Sequence, residues 1–202
     1  MPFGVASARF EQNATDGDVE VVFEVKGGDQ GLTRLTISSP DGRTVVDFAA
    51  ADPSTLGMRQ FRFESPEPRD VAGLRAAYPE GVYSFSGATA SGSRLQGTAT
   101  LSHRLPATAS FLRPAPGAEG VRVKGMTIAW SAVEGAVAYL LYVEQDDLGV
   151  EVTARLPRTA RSFVVPDGFL GPGTEYTMGI GVVSGEGNVS YVEGSFTTAA
   201  GK

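Results

Sequence analysis

Three stretches hold the side chains best suited to chemistry. "EQDDLG" (144–149) brings Glu144, Asp146 and Asp147 together, and "NATDGDVE" (13–20) sets Asp16 and Asp18 beside Asn13. Clustered carboxylate oxygens on a turn are the ligands a calcium ion takes. Neither stretch has the spaced set of an EF-hand loop, and short acidic turns are commonly solvated hairpin ends. Two facing carboxylates would suit a glycosidase, but spacing along the chain does not define their separation in space. The third stretch, "TATLSHRLPA", carries the only histidine, His103. A Ser-His-Asp relay would have to use it, and a His-rich metal site is ruled out. Closing an alternating strand, it reads as an ordinary strand-end histidine and not a catalytic base. The absence of cysteine excludes disulfides, Cys-ligated zinc and thiol catalysis together. No cofactor is expected.

The elements that would position these groups are written almost wholly in period two. In the first half, "DVEVVFEVKG" (18–27), "LTRLTISSP" (32–40), "RTVVDFAA" (43–50), "MRQFRFES" (58–65), "GVYSFSGAT" (81–89) and "RLQGTATLSH" (94–103) read as strands. "SPDGR" (39–43) is a hairpin signal, because Asp-Gly supplies the positive-φ positions of a tight turn. Only "PRDVAGLRAAYP" (68–79) reads as helix, with Asp70 a cap and Pro79 a stop. "HRLPATASFLRPAPGAEG" (103–120) breaks the rhythm and places a boundary near Leu105–Pro106, giving domains over 1–105 and 106–202 joined by a stiff linker.

Composition narrows the partners. The 202 residues suit one large or two small domains, and 26 glycines with 12 prolines fit many short strands. A net charge of −6 argues against nucleic acid, which needs clustered Lys and Arg. No window is long and apolar enough to span a bilayer. No charged-then-apolar leader follows Met1-Pro2, so a secretion signal is not within this sequence. Only Lys26, Lys124 and Lys202 are lysines among 17 basic residues, a bias associated with GC-rich bacterial genomes. Both asparagines, Asn13 and Asn188, lie in N-x-[ST] patterns; in a bacterial chain these read as turn residues.

In the second half, Trp130 ends one strand, "AVAYLLYVEQ" follows, then "LGPGTEYTMGIGVVSGEG" and a terminal "SFTT". On these residues the segment 107–198 resembles a fibronectin type III module. The resemblance implies a sandwich in which Tyr176 buries its ring and bonds its hydroxyl to upstream backbone, the tyrosine corner. Pro172-Gly173 would bend the chain for that reach, Leu170 would fill the core floor, and Trp130 would pack across from Tyr176. The first half, on "LTISSPDGR" and "YPEGVYSFSGATASGSRLQGTATLSHRLPA", resembles a bacterial Ig-like sandwich. The fold expected is all-β, two tandem sandwiches. The pairing resembles uncharacterised, exported bacterial proteins, implying an extracytoplasmic location.

Such a topology puts the loops "AVEGA" and "SGEGN" at the end where the chain enters, so Glu134, Glu186 and Asn188 are expected at the interdomain junction. They would either pack one sandwich on the other or form a shallow acidic groove for a partner. No Arg-Gly-Asp tripeptide supports integrin-type adhesion. "VEVTARLP" is the edge to inspect, with Arg155 and Pro157 discouraging strand addition and so favouring a monomer. The function expected is a non-catalytic binding, adhesion or spacer module, its protein or glycan partner unidentified. Rivals are a carbohydrate-binding module, for which Tyr78, Tyr83 and Tyr191 are the available aromatics, a calcium-stabilised adhesin, and a hydrolase with a carboxylate site.

Overall fold

Alternating apolar and polar residues become strand after strand, because successive side chains of a strand point to opposite faces and only one face is buried. A computed structural model describes residues 1–29, 31–52, 56–66 and 70–201. Its described residues are all-β apart from one short helix, and they divide into two compact units. The first comprises residues 1–11, 19–104 and 186–188; the second comprises 12–18, 105–185 and 189–202.

The first unit is a sandwich built from β1 (Val5–Asn13), β2 (Asp18–Lys26), β3 (Leu32–Ser38), β4 (Thr44–Ala49), β5 (Gln60–Glu64), α1 (Val71–Ala77), β6 (Gly81–Thr89) and β7 (Arg94–Leu101). One sheet runs β1-β2-β5 and the other β4-β3-β6-β7. Aromatic rings fasten the two: Phe23 on β2 meets Tyr83 at 5.4 Å and Phe85 at 6.4 Å, and Phe48 meets Phe61 at 4.9 Å. The strand β1 has no counterpart in the sequence expectations. Its pattern is irregular, with Ala8 and Phe10 buried while Glu11 is buried as an ion-pair partner. The outward face of β1-β2-β5 carries a charge lattice in which Arg9 bonds Glu11 at 2.7 Å and Glu24 at 3.1 Å, while Arg62 reaches Glu24 at 3.3 Å and also bonds Glu64. Burial raises the Glu24 carboxyl, but Arg9 and Arg62 outweigh it and hold the group below its usual value.

The expected helix over 68–79 has its first residues, Pro68 and Arg69, outside the described residues. Its described part is capped by Asp70, which accepts from the amides of Ala72 at 3.0 Å and Gly73 at 3.1 Å. The Asp-Gly hairpin turn sits between β3 and β4, with Gly42 at φ +84.

The second unit is also a sandwich, with β8 (Phe111–Arg113), β9 (Ala118–Val121), β10 (Thr127–Trp130), β11 (Ala138–Gln145), β12 (Val150–Pro157), β13 (Ser162–Val164), β14 (Glu175–Val183) and β15 (Val189–Thr198). A three-stranded sheet β13-β10-β8 faces the run β12-β11-β14-β15. The Pro-rich stretch thus supplies two short strands: β8 pairs antiparallel with β10, then the chain changes layers and β9 pairs parallel with β15. Between the layers lie Ile128, Trp130, Tyr139, Val143, Met178, Ile180, Val182 and Phe196, each with no exposed surface. The edge strand β12 pairs with β11 over all eight residues and ends on Pro157.

Candidate functional site

The side chains most capable of chemistry are drawn into local structure. His103 is half-buried; its Nε2 lies 2.8 Å from the Tyr78 carbonyl oxygen, and its ring packs 4.9 Å from Phe10. A carbonyl can only accept, so Nε2 is the donor of that bond. In the 13–18 turn Asn13 Oδ1 accepts from the Thr15 amide at 3.0 Å and Asp16 Oδ1 accepts from the Asp18 amide at 3.0 Å, while Asp18 Oδ1 is buried without a hydrogen-bond partner among the described residues. In the other acidic turn Gln145, not a carboxylate, caps the Leu148 amide at 2.7 Å, and Asp146 and Asp147 are exposed. Burial, and then the neighbouring Asp146, Glu151 and Glu193, push the Glu144 carboxyl above its usual value. Among the described residues no three His, Cys, Asp or Glu side chains converge as metal ligands.

The loop residues differ sharply from one another. Glu134 is exposed in the loop between β10 and β11. Glu186 is exposed and pairs with Arg104 at 3.3 Å. Asn188 is 1% exposed and fully engaged within the first unit. Its Oδ1 accepts from the Phe10 amide at 2.8 Å, and its Nδ2 donates to the carbonyls of Ser102 at 2.8 Å and Arg104 at 2.9 Å.

The corner at 170–176 forms through backbone geometry. Gly173 adopts φ +62, Pro172 stays exposed, and Tyr176, 1% exposed, accepts the Gly171 amide on its hydroxyl at 2.8 Å. Leu170 is buried at the end of the same core. Tyr176 stacks on Phe196 at 5.7 Å, while Trp130 packs on Tyr139 at 5.6 Å. The Trp130 Nε1 is buried with no hydrogen-bond partner among the described residues, so the indole serves as apolar bulk.

Of the three aromatic residues expected to be available for ligand stacking, Tyr83 is buried, Tyr78 is half-buried and Tyr191 lies on an outward face. Tyr83 has no exposed surface and its hydroxyl donates to the Pro79 carbonyl at 3.1 Å; burial pushes its phenol up to about 12. Tyr78 is half-buried at 6.1 Å from Phe23. Tyr191 shares the outward face of β11-β14-β15 with Tyr142, their rings 6.0 Å apart. Each lies over a glycine: a Cβ on Gly179 would come 2.1 Å from the Tyr142 ring, and one on Gly181 would come 2.6 Å from the Tyr191 ring. The Tyr142 hydroxyl donates to Glu193, and burial together with that bond pushes its phenol far above the usual tyrosine range.

One broad face remains open in the first unit. Strand registry brings outward residues of β4-β3-β6-β7 into rows across the sheet: Asp47, Thr36, Ser86, Gln96; then Thr44, Ser38, Ser84, Thr98; then Ala49, Arg34, Ala88, Arg94. Two shallow depressions, about 290 Å³ and 430 Å³, share Ser86 and Gln96 and make one continuous trough along β6 and β7. Sequence alternation marks each of these positions as outward, but only the registry shows which stand side by side.

No protein-family model and no curated protein matches the chain. Among solved structures it is similar to the fibronectin(III)-like modules of CbhA from Clostridium thermocellum, at 12% identity over 98% of this chain and 92% of that one, with a TM-score of 0.37. A two-domain fibronectin type III segment from chicken tenascin is similar at 13% identity, 98% and 100% coverage and a TM-score of 0.34. The BSP domain of a biofilm associated protein is similar at 16% identity, covering 100% of this chain and 30% of that one, with a TM-score of 0.30.

Proposed function

We propose that this chain is a non-catalytic binding or spacer module of an exported bacterial protein, acting through sheet faces and loops and not through reacting groups. The observation that carries this reading is the internal employment of the polar side chains with chemical potential. His103 is tied to a backbone carbonyl, Tyr176 and Tyr83 to backbone groups of their own corners, and Asn188 to three backbone groups. Reactive sites need such groups poised toward a substrate. What faces outward instead is a continuous polar trough on a rigid sheet, a geometry suited to surface complementarity.

The test pairs binding with turnover. The whole chain is run through native gels containing soluble polysaccharides and assayed in parallel for release of reducing ends and for cleavage of chromogenic esters and peptides. Retardation without product supports a binding module. Product formation that disappears in His103→Ala or in a variant of the 144–147 carboxylates overturns the reading in favour of an enzyme. Arg155 and Pro157 on the edge strand β12 support a monomer, which sedimentation velocity would check.

A further inference from the structure

The trough on the first unit has a chemistry of its own. Arg34 on β3 and Arg94 on β7 both stand opposite Ala88 of the intervening β6, one from each side. Two strand steps of about 4.8 Å put their Cα atoms roughly 10 Å apart, with both side chains on the same face and a methyl group between them. Both residues are exposed. Neither makes an ion pair among the described residues, unlike Arg9, Arg43, Arg62 and Arg104, each of which has a carboxylate partner. Asp47 stands one row away, opposite Thr36, and forms no ion pair with Arg34. Two forked guanidinium groups with a small residue between them make a cleft for a planar anion, since each fork can donate two parallel hydrogen bonds to a carboxylate.

Beyond the two arginines the face changes character. Thr36, Ser84, Ser86, Gln96 and Thr98 follow in adjacent rows, and Ser84, Ser86, Gln96 and Thr98 are exposed. Hydroxyls and amides both donate and accept, which complements a chain of sugar hydroxyls. A protein partner would call for an aromatic or aliphatic anchor at the centre of the contact, and these rows offer none there; Val82, at the far end, is the exposed aliphatic residue of β6.

We propose that this face binds an acidic polysaccharide, with a uronate carboxylate held between Arg34 and Arg94 and neighbouring sugar hydroxyls bonded along Ser86, Gln96, Ser84 and Thr98. The assignment rests on the binding-module reading and names its ligand class. In a chain of net charge −6, which repels polyanions in general, the two arginines without ion pairs give this trough a local positive charge that attracts them.

The experiment uses the full chain and three soluble probes: polygalacturonate, neutral dextran, and poly-L-glutamate as an acidic polymer without hydroxyls. Polygalacturonate is expected to retard the protein in affinity gels, with an effect that weakens as salt is raised. The double variant R34Q/R94Q should lose binding at least tenfold, and S86A/Q96A severalfold, both with unchanged melting because all four positions are exposed. Equal retardation by poly-L-glutamate would show that charge alone is recognised and would overturn the polysaccharide assignment. Binding unaltered in R34Q/R94Q, or absent altogether, would overturn the site. Retardation by dextran, insensitive to those substitutions, would sink this inference while leaving a binding module standing; hydrolysis of any probe would instead sink the module.

Discussion

Asn188 offers the sharpest test of how the first unit is held together. Substitution by alanine removes one acceptor and two donors from a position 1% exposed, orphaning the Phe10 amide and the carbonyls of Ser102 and Arg104. At about 1 kcal/mol net for each bond, the loss is roughly 3 kcal/mol, and more if the Phe10 amide stays dry. For a chain of this length that corresponds to a melting point lowered by roughly 6–12 °C. Circular dichroism melts of wild type, Asn188→Ala and Asn188→Asp at pH 7 measure it. The aspartate variant should be the worst: its carboxylate keeps the acceptor but faces two carbonyls with nothing to donate, inside a site that penalises charge. Burial raises that carboxyl in the folded state above its unfolded value, so the native form holds the extra proton. Stability of Asn188→Asp must therefore rise as pH falls through the raised value, closing its gap with Asn188→Ala. An alanine variant melting within about 1 °C of wild type, with aspartate no worse, would refute the reasoning.

Tyr176→Phe keeps the buried ring but frees the Gly171 amide, and should cost about 1 kcal/mol; a chemical denaturation midpoint unmoved from wild type would show that the corner bond adds nothing. Gly179→Ala places a methyl 2.1 Å from the Tyr142 ring, which must swing off the sheet and leave Glu193. The expected loss is about 1–3 kcal/mol, with partial recovery in Gly179→Ala/Tyr142→Ala; additive losses in the double variant would count against the packing account. The Asp41 carboxyl is lowered from 3.8 to about 2 by the Ser39 hydroxyl first and Arg43 second. Its contribution is present above its unfolded value and lost as pH falls through about 2. Carboxyl-carbon NMR titration should find that midpoint and show it moving back up in Ser39→Ala; an ordinary midpoint in wild type would mean the turn bonds do not form in solution.

Much of this architecture is readable from local chemistry. The Asp41-Gly42 turn and the Leu170-to-Tyr176 corner each specify their conformation within a few residues, because positive φ and a fixed hydroxyl reach leave few alternatives. Parity also tells that Tyr139 and Tyr142 of one strand face opposite ways, so Tyr142 belongs outside with Tyr191. Other features escape local reading. Strands of three or four residues such as β8 and β9 are too short for periodicity to register, and β1 hides its pattern because Glu11 is buried by an ion pair instead of by apolar contact. Asn188 reads as a turn residue, and its burial depends on an amide 178 positions away. The trough is a matter of registry, since Arg34, Ala88 and Arg94 become neighbours only when three strands align.

The layer change at 113–118 has a mechanical consequence. Near the start of the second unit β9 lies parallel to the last strand β15, joined by bonds such as Gly117 amide to Ser195 carbonyl at 2.7 Å and Ala199 amide to Val121 carbonyl at 2.8 Å. A pull on the two ends of that unit drags parallel strands past each other lengthwise, so every bond between them takes the load at once. A hairpin tugged from its open end would instead unzip rung by rung. The second sandwich is thus wired to resist tension along the chain.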